Sequence, residues 1–494
     1  MSSPAGRSPR RTAAVGDSPP AGGLRRWALR TGAGCLAGAL LLAPGDRRSP
    51  GPAIVQFPAP GVLPAAAESI GPRERTMPTR GPTRIAEVRA LWVVRTTLTS
   101  PAAVRTMVGD AWQGGFNTLL VQVRGRGDAY YLSSLEPRAA ALADQPRDFD
   151  PLALVLEEAH ARGMTVHAWV NAMVVTNLTE LPADPGHIAR AAPDLLAVPR
   201  ELARDLAGRD PFQPSYLRRL FRWARAHPDR VEGLYASPVR REVHDRLEEV
   251  LTDLVERYPV DGVHLDYLRY PSGAFDYSRG AMEAFRVWAS PRVGPRRTAE
   301  LDAVGRRDAL AWPDALPGLW DTFRRRRLTD LVVRLRRRLR TLRPALVVSA
   351  AVVPDAADAR GRRFQDWPAW LAGGAVDVVA PMAYTSDDRR FRARVGDALA
   401  AAGDPRRVWA GIGTHRTGFE GTVAQIRVAR DVGAGGVVLF SYDWIRSRGR
   451  TPRGRVFLED LGRRSSFTLP PAPPPVALPP SSRRPGPGPP GNGG

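Results

Sequence analysis

The sequence predicts an α/β protein built as a single (β/α)8 TIM barrel, with long loops after strands 3 and 4 and with disordered tails at both ends. Eight short apolar runs have the length and composition of buried strands, and helical patterns lie between most of them. Together they fill about 360 residues, which suits eight βα units. The runs are nearly continuous rather than alternating, as is typical of a parallel sheet covered by helices on its outer face.

The predicted strands occupy residues 88–94, 118–124, 165–170, 262–268, 346–353, 377–384, 408–413 and 435–442. An open doubly wound sheet is the alternative, and it would need a Gly-rich phosphate loop after the first strand. That strand instead continues into RTTLTSPAA. Gly125 and Gly127 follow the second strand, but no helical pattern comes after them. The barrel is therefore the predicted architecture.

Helical patterns fill the intervals between the strands. The segment PLALVLEEAHARG precedes the third strand, and Gly163 is well placed to end its helix. The amphipathic segment VHDRLEEVLTDLVERY precedes the fourth strand. An Arg-rich segment at residues 319–342 precedes the fifth, and we expect it to form an outer helix with a solvated face.

Two connections are much longer than the usual few residues. They cover residues 171–259 and 270–345, and both start at the carboxyl end of a predicted strand. Active sites of (β/α)8 barrels lie at that end. Long loops there predict a cleft that can hold an extended substrate.

The two ends of the chain differ in composition from its centre. Arg25, Arg26 and Arg30 precede an apolar run at residues 31–44, a pattern that indicates a signal peptide or, through residues 27–44, a membrane anchor. The protein is therefore expected to be extracytoplasmic. The predicted segments are a signal peptide or anchor, a Pro/Gly/Ala-rich linker, the barrel and a Pro-rich disordered tail, at residues 1–44, 45–84, 85–465 and 466–494.

The net charge of +22 does not by itself indicate a nucleic-acid-binding protein. All 72 basic residues are arginines, which is typical of a GC-rich coding sequence, and residues 1–87 and 463–494 carry +7 and +4 of the excess. The remaining barrel is mildly basic, which would help it approach acidic cell-wall polymers. The single Cys35 excludes an intramolecular disulfide and a Cys-based zinc site.

The strongest local signal is the segment DGVHLDYLRYP at residues 261–271. His264 and Asp266 have the same side-chain parity, so an inward-pointing His264 places Asp266 one layer higher, at the rim. Arg269 and Tyr270 follow in the loop. A carboxylate in this setting suits a nucleophile or a general acid/base, with Arg269 and His264 orienting it and tuning its pKa. The structural alternative is a rim Asp that caps a loop or pairs with Arg269.

Other strand ends supply polar and aromatic side chains to the same mouth. At the end of the third strand, the flat ring of Trp169 beside the Asn171 amide is suited to binding a sugar. The alternative for Trp169 is that its ring fills the barrel core. The further predicted substrate-binding residues are Trp169, Asn171, Tyr130, Tyr384, Tyr442 and Asp443. Because no Glu is identified at a strand end, the candidates for a second carboxylate beside Asp266 are Asp387, Asp128, Asp443 and Asp355.

Metal- and cofactor-dependent chemistry is not predicted. The first strand has no H-x-H pair, and of seven histidines only His167, His264 and His415 lie near strand ends. The sequence has no G-x-S-x-G elbow, no phosphate-binding loop and no Cys nucleophile. We therefore expect neither a metal nor a cofactor.

The segments EVRALWVV, RGRGDAYYLSS, VDGVHLDYLRYP and VDVVAPMAYT resemble the glycosyl hydrolase-like 10 family, which are bacterial extracytoplasmic (β/α)8 proteins related to glycoside hydrolases. The resemblance covers residues 85–444, and some members act on peptidoglycan glycan strands. It implies that Asp266 is the rim Asp of the motif and that Asp128 is the Asp after the second strand. The PMAYT sequence departs from the Pro-Gln-x-Tyr-Trp type of many relatives.

Two functional hypotheses follow. The first is an exported glycoside hydrolase that cleaves a polysaccharide such as the peptidoglycan glycan strand, with Asp266 as one of two carboxylates. The second is a non-catalytic cell-wall or polysaccharide binder on the same barrel, because the second carboxylate is ambiguous. A third hypothesis, nucleic-acid binding, requires a contiguous Arg stripe on the folded barrel and is not favoured.

Overall fold

The computed structural model of the chain describes residues 87–447 and 453–470. The predicted signal peptide or anchor, the linker and all but the first five residues of the predicted Pro-rich tail lie outside these ranges. Within them, no helix combines the length and the apolar character needed to cross a membrane.

Eight parallel strands form the predicted barrel, so this architecture is confirmed. They are β1 (Val88–Val93), β2 (Thr118–Arg124), β3 (Thr165–Asn171), β4 (Gly262–Asp266), β5 (Val347–Val352), β6 (Val378–Pro381), β7 (Trp409–Gly413) and β8 (Gly436–Phe440). Neighbours in the chain pair in parallel from β1 to β6, and β8 pairs with both β7 and β1. Isolated bridges Val379–Val408 and Met382–Gly411 join the β6 and β7 segments, which closes the ring.

Helices alternate with these strands. Those of the described residues are α1 (Pro101–Gln113), α2 (Pro151–His160), α3 (Ile188–Ala191), α4 (Arg200–Ala207), α5 (Pro214–Ala226), α6 (Arg241–Arg257), α7 (Arg279–Val293), α8 (Pro295–Gly305), α9 (Ala311–Ala315), α10 (Pro317–Leu342), α11 (Ala356–Arg362), α12 (Trp367–Ala372), α13 (Asp388–Ala402), α14 (Thr414–Asp431), α15 (Tyr442–Ser447) and α16 (Arg453–Arg464). The predicted Arg-rich helix is α10, and the amphipathic segment before the fourth strand is α6.

Local sequence determines where the first two helices begin and end. The Ser100 side chain accepts a hydrogen bond from the Ala103 N–H at the start of α1, and the Asp150 side chain accepts one from the Ala153 N–H at the start of α2. A proline follows each cap at the first helical position, where a missing N–H costs nothing. Beyond α2, Gly163 has a φ of 67°, a left-handed conformation that ends the helix as predicted.

Aromatic and histidine rings fill the barrel interior. Trp92 on β1, Trp169 on β3 and Trp409 on β7 are all buried. The His167 ring packs edge-on against Trp409, with the ring centroids 5.4 Å apart. Gly262 on the neighbouring strand makes room for this ring, because a Cβ there would lie 2.4 Å from it. Small residues opposite large ones let the rings interdigitate at native density.

The two long connections, predicted as loops after strands 3 and 4, fold largely as helical insertions. The first holds α3–α5 before α6, and the second holds α7–α9 before α10. A second hydrophobic core lies mainly in the connection after β4, with Tyr277, Phe285, Trp312 and Trp320, and the connection after β3 adds Ala203 and Val239 to it. An ion pair between Arg204 and Asp308 also joins them, with Nε and Oδ1 2.9 Å apart. Both insertions leave the barrel at carboxyl ends of strands, where the predicted mouth lies.

Several arginines of α10 are neutralised by acidic residues of α6. Arg334 pairs with Asp245 at 2.6 Å and with Glu248, and Arg338 pairs with Glu256 at 3.6 Å. These pairs hold α10 against α6 on the outside of the barrel. They also interrupt the contiguous positive stripe that nucleic-acid binding would require.

Candidate active site

The candidate site lies at the carboxyl end of β4, where the strand stops at Asp266. Tyr267 has a φ of 54° and turns the chain sharply away from the strand. Its N–H donates to Asp266 Oδ1 at 2.6 Å, and Arg269 Nη1 donates to the same oxygen at 2.9 Å. Left-handed backbone at a non-glycine residue persists only where the surroundings hold it, and such residues cluster at functional sites. Two donors thus fix the Asp266 carboxylate, whose Oδ2 accepts no hydrogen bond from the described residues.

Arg269 supplies a fixed positive charge beside Asp266. Its guanidinium carbon lies 4.2 Å from the centroid of the Tyr267 ring, and its side chain is 11% exposed. Burial alone would lower the pKa of Arg269, but the neighbouring Asp266, Tyr235 and Tyr267 raise it. The guanidinium therefore stays charged and holds the carboxylate in one orientation.

Glu232 is a second carboxylate near Arg269, and it is not among the site residues predicted from the sequence. Tyr235 Oη donates to Glu232 Oε2 at 2.5 Å, and the Tyr235 ring packs edge-on against Tyr267 with centroids 6.0 Å apart. The charge of Glu232 also contributes to the raised pKa of Arg269. Asp266 and Glu232 therefore act on the same guanidinium, and Glu232 is partly exposed.

The insertion after β3 determines where Glu232 lies. An antiparallel bridge pairs Tyr235 with Val174, just past the end of β3, and so brings this segment to the mouth. Gly233 is required beside Glu232, because a Cβ there would lie 1.9 Å from the Thr176 carbonyl oxygen. A single Glu-Gly pair inside a long connection has no periodic sequence pattern. Its position at the mouth follows only from the pairing of Tyr235 with Val174 in the folded chain.

The structure corrects the role predicted for His264. Its Nε2 accepts a hydrogen bond from Trp92 Nε1 at 3.0 Å, and its Nδ1 donates to Ser349 Oγ at 2.9 Å. Both ring nitrogens are thus used, and neither bonds to Asp266. Burial lowers the pKa of His264 to about 3, so the ring is neutral. The predicted parity is right, because His264 points into the barrel below Asp266.

Trp169 and Asn171 support the mouth from below. Trp169 Nε1 donates to Asn171 Oδ1 at 2.9 Å, and Asn171 Nδ2 donates to the Gly125 carbonyl at 2.9 Å. Both side chains are buried. Trp169 therefore fills the barrel core, which is the alternative given for it above. The Asn171 amide joins the end of β3 to the loop after β2 and does not face the mouth as a sugar-binding group would.

A buried ion pair fixes the same loop. Arg124 Nε lies 3.4 Å from Glu136 Oε2, and each side chain is 1% exposed. Arg124 also donates to the carbonyl oxygens of Asn171 and Ala172. The ends of β2 and β3 are therefore held together by charge-assisted bonds away from water.

Asp128 and Tyr130 lie side by side beyond β2, as predicted. Asp128 is partly exposed, and its Oδ1 accepts from the Arg126 N–H at 2.7 Å. Burial, together with the charge of Asp128, raises the pKa of Tyr130 to about 12. Asp128 thus remains a rim carboxylate, whereas Tyr130 is a buried, neutral neighbour.

Asp443 ties β8 to β1 at the rim. Its Oδ2 accepts from the Val94 N–H at 2.7 Å, and its Oδ1 accepts from Thr96 Oγ1 at 2.9 Å and from Thr97 Oγ1 at 2.5 Å. Burial raises the pKa of Asp443, and these three donors oppose the rise. Since both oxygens are occupied, the geometry gives Asp443 a bracing role.

Aromatic rings line the mouth on the β6 to β8 side. Tyr384, Phe440 and His415 are all partly exposed. Tyr384 lies 5.5 Å from Phe440 and 5.6 Å from His415 between ring centroids, and it meets Trp92 edge-on at 6.3 Å. Such an apolar wall suits the face of a sugar ring, so Tyr384 lies where the sequence predicts it.

The structure corrects two other tyrosines predicted to bind substrate. Tyr442 Oη donates to Asp110 of α1 at 2.9 Å, because β8 ends two residues earlier than predicted and Tyr442 begins α15. Tyr270 is fully buried, packs edge-on against Phe364 at 5.2 Å and donates to the Arg324 carbonyl at 3.4 Å. Both side chains stabilise the surrounding helices and loops, and neither faces the mouth.

Two candidate second carboxylates are helix caps. Asp387 Oδ1 accepts from the N–H groups of Arg389 and Arg390 at the start of α13, which lowers the pKa of Asp387. Asp355 Oδ1 accepts from the Asp358 N–H at the start of α11. Asp387 is exposed on the surface. These bonds explain both residues structurally, so Asp128 and Glu232 remain as the candidates for a second carboxylate.

The chemistry available at this mouth is that of carboxylates. Across residues 87–447 and 453–470, no group of three or more His, Cys, Asp or Glu side chains is arranged to hold a metal ion. Asp266, Glu232 and Asp128 lie at strand ends or in loops beside a wall of aromatic rings. This combination fits acid/base or nucleophilic catalysis on a sugar-like substrate.

Solved structures share this barrel. The glycoside hydrolase domain of PgaB (BpsB) from Bordetella bronchiseptica aligns with a TM-score of 0.51 and 16% identity, over 76% of this chain and 98% of that one. A β-galactosidase from Rahnella sp. R3 aligns with a TM-score of 0.52 and 16% identity, over 78% of this chain and 57% of the other. At this identity the likeness concerns the fold alone.

Curated relatives match in sequence. Glycosyl hydrolase YngK of Bacillus subtilis (strain 168) is 26% identical over 316 residues, which are 60% of this chain and 50% of YngK. Glycosyl hydrolase DigH of Escherichia coli (strain K12) is 27% identical over 292 residues, 55% of each protein. The chain thus spans about half the length of the curated relatives it matches. The model of the glycosyl hydrolase-like 10 family matches residues 87–406. From its first strand to the start of its seventh, this chain belongs to the glycosyl hydrolase-like 10 family.

Proposed function

We propose that this chain is a glycoside hydrolase that cleaves glycosidic bonds in a polysaccharide, with Asp266 as one catalytic carboxylate. The observation that carries the proposal is the Asp266 group at the mouth of the barrel. One carboxylate oxygen is held by Arg269 and by the Tyr267 N–H, and the other is left for substrate. Membership of a glycosyl hydrolase-like family supports the reaction class.

Hydrolysis of a glycosidic bond uses two carboxylates, one to protonate the leaving oxygen and one to act as base or nucleophile. The ion pair with Arg269 suits Asp266 to the second role, because it fixes the orientation of the carboxylate. We assign the other role to Glu232, which lies on the insertion after β3 and whose charge contributes to the raised pKa of Arg269. Asp128 is the alternative, since it is partly exposed and matches the Asp after the second strand in the family resemblance.

The proposed substrate is an extracytoplasmic glycan, with the peptidoglycan glycan strand as its first candidate. The basic flank and apolar run before residue 44 support export or anchoring, and the mildly basic barrel suits an acidic wall polymer. The insertions after β3 and β4 support a long, cleft-bound substrate rather than a small one.

The test is hydrolysis by the purified full chain of denuded peptidoglycan, peptide-bearing peptidoglycan and common polysaccharides, with products read by mass. We expect reducing ends to appear and Asp266→Asn to abolish their release. Glu232→Gln and Asp128→Asn then identify the second carboxylate. Asp387→Asn is the matched control, because it removes the charge of an exposed helix cap. Unchanged hydrolysis by Asp266→Asn would overturn the assignment.

A non-catalytic glycan binder is the second candidate. One observation favours it, namely that Asp355, Asp387 and Asp443, all candidates for the second carboxylate, carry out structural tasks. This alternative predicts glycan binding with no release of reducing ends at any pH tried. Binding without release would therefore replace the hydrolase by the binder.

A further inference from the structure

A basic groove lies on the barrel at the end opposite the mouth. It runs between the last turns of α10 and the turn after α12, and its volume is about 410 Å³. Arg336, Arg337 and Arg340 line one side, and Gly373 and Gly374 line the other. Because α10 leads into the start of β5 and this turn leads into the start of β6, the groove is at the amino-terminal end of the strands.

The groove carries positive charge that the described residues do not neutralise. Arg337 and Arg340 are exposed, and neither forms an ion pair within the described part of the chain. Their neighbours on α10 behave differently, since Arg334 and Arg338 pair with acidic residues of α6. No carboxylate lines the groove. The unpaired charge is thus concentrated on one face of the helix.

Arg336 forms the floor of the groove. It is 7% exposed and donates to Asp377 and to the Leu346 carbonyl, which fixes its guanidinium, while its Nε is buried with no hydrogen-bond partner. Burial lowers the pKa of Arg336, Asp377 opposes this, and the charge of Arg340 lowers it further. Among the three arginines, Asp377 pairs with Arg336 alone, and a buried donor of Arg336 remains unsatisfied.

The opposite wall is bare backbone. Gly374 has a φ of 65°, a left-handed conformation that favours glycine, and a Cβ built on it would meet nothing within 4 Å. No side chain of this wall covers the guanidinium groups. An anion in the groove can therefore approach Arg337 and Arg340 from solvent, with the buried Arg336 at the floor.

We propose that this groove binds phosphate groups of an anionic polymer and so forms a docking site separate from the catalytic mouth. Guanidinium groups bind phosphate through paired, charge-assisted hydrogen bonds. Arg336, Arg337 and Arg340 lie within about one turn of helix, a spacing of about 6 Å along the axis that suits one phosphate at a time. A polymer held at this end of the barrel leaves the mouth open to a glycan.

The test is binding of linear polyphosphate to the purified full chain at constant ionic strength, followed by calorimetry. We expect R337Q/R340Q to weaken binding about tenfold or more, the loss typical of charge-assisted bonds. The matched control is R326Q/R427Q, which removes the same charge from exposed arginines outside the groove that form no ion pair with described residues. It should change affinity by less than about twofold.

Three outcomes contradict the proposal. Equal weakening by both double variants would show that binding follows net charge alone. Stronger binding of polygalacturonate than of polyphosphate would replace phosphate by carboxylate as the ligand, and stronger binding of a single-stranded oligonucleotide would indicate a nucleic-acid surface. Because Arg337 and Arg340 are exposed, the melting temperature should be unchanged. Glycan hydrolysis should also be unaffected, so this test is independent of the proposed function.

Discussion

Replacing Arg269 by Gln tests whether the site depends on one buried ion pair. The Arg269 and Asp266 side chains are 11% and 9% exposed, so the substitution leaves a carboxylate with little solvent to balance it. Breaking a buried pair costs about 3–5 kcal/mol. We take the lower end, about 3 kcal/mol, because the Tyr267 N–H still donates to Asp266. The matched control is Arg105→Gln, whose ion pair with Glu158 has an arginine that is 58% exposed.

This loss of about 3 kcal/mol in unfolding free energy corresponds to a fall in melting temperature. At about 2.1 cal/mol/K of unfolding entropy per residue, a barrel of about 360 residues loses about 1.3 °C for each kcal/mol. Arg269→Gln should therefore melt about 4 °C below the parent chain, and its glycan hydrolysis should fall because Asp266 is no longer oriented. Arg105→Gln should lie within about 1 °C of the parent.

Thermal and urea unfolding measure the first effect, and reducing-end release measures the second. Equal melting of Arg269→Gln and Arg105→Gln would refute the argument that the Asp266 pair is effectively buried. A large loss of stability with full hydrolysis would instead show that Arg269 supports the loop and does not orient the reacting carboxylate.

Three further predictions concern the barrel and its rim. Burial lowers the pKa of His264 to about 3 and those of His167 and His244 to about 4, so below pH 6.5 the unfolded chain binds more protons. The free energy of unfolding should fall by about 2 kcal/mol per histidine between pH 7 and pH 5, and a flat urea profile would contradict this. Gly262→Ala should cost about 1–3 kcal/mol, since its Cβ would meet the His167 ring, and equal urea midpoints would refute it. Asp387→Ala should lower the melting temperature yet keep hydrolysis within about twofold, because Asp387 caps α13, and lost turnover would restore it as catalytic.

The sequence was sufficient for the barrel because its signals are local. Each strand is a short apolar run between breakers, and Ser100, Asp150 and Gly163 define the helix ends as their chemistry requires. Strand parity also placed His264 and Asp266 correctly, since both lie inside the same short strand. Parity does not extend beyond the strands, which end four residues before Tyr270 and two residues before Tyr442. There the side chains of Tyr270 and Tyr442 pack against loops and helices, and the two-residue alternation of a strand does not predict their direction.

Glu232 lay beyond sequence reasoning for a different physical reason. It belongs to a connection longer than most, and its place depends on pairing of Tyr235 with Val174 across more than sixty residues. Likewise, two of the predicted site carboxylates, Asp387 and Asp443, are occupied by backbone and hydroxyl donors that only the folded chain brings to them. The sequence indicates which acidic residues lie near the mouth of the barrel. Which of their carboxylate oxygens remain free of hydrogen bonds depends on tertiary contacts.

Hydrogen bonds and ion pairs at the strand ends hold the mouth of the barrel in place. Asp443 joins the ends of β8 and β1, and Arg124 with Glu136 joins those of β2 and β3. Asp266 is the last residue of β4, and Glu232 lies on a segment whose neighbours Val231, Leu234 and Tyr235 belong to the main barrel core. The bridge between Val174 and Tyr235 ties this segment to the end of β3, so both proposed carboxylates are held in the precise positions that catalysis requires.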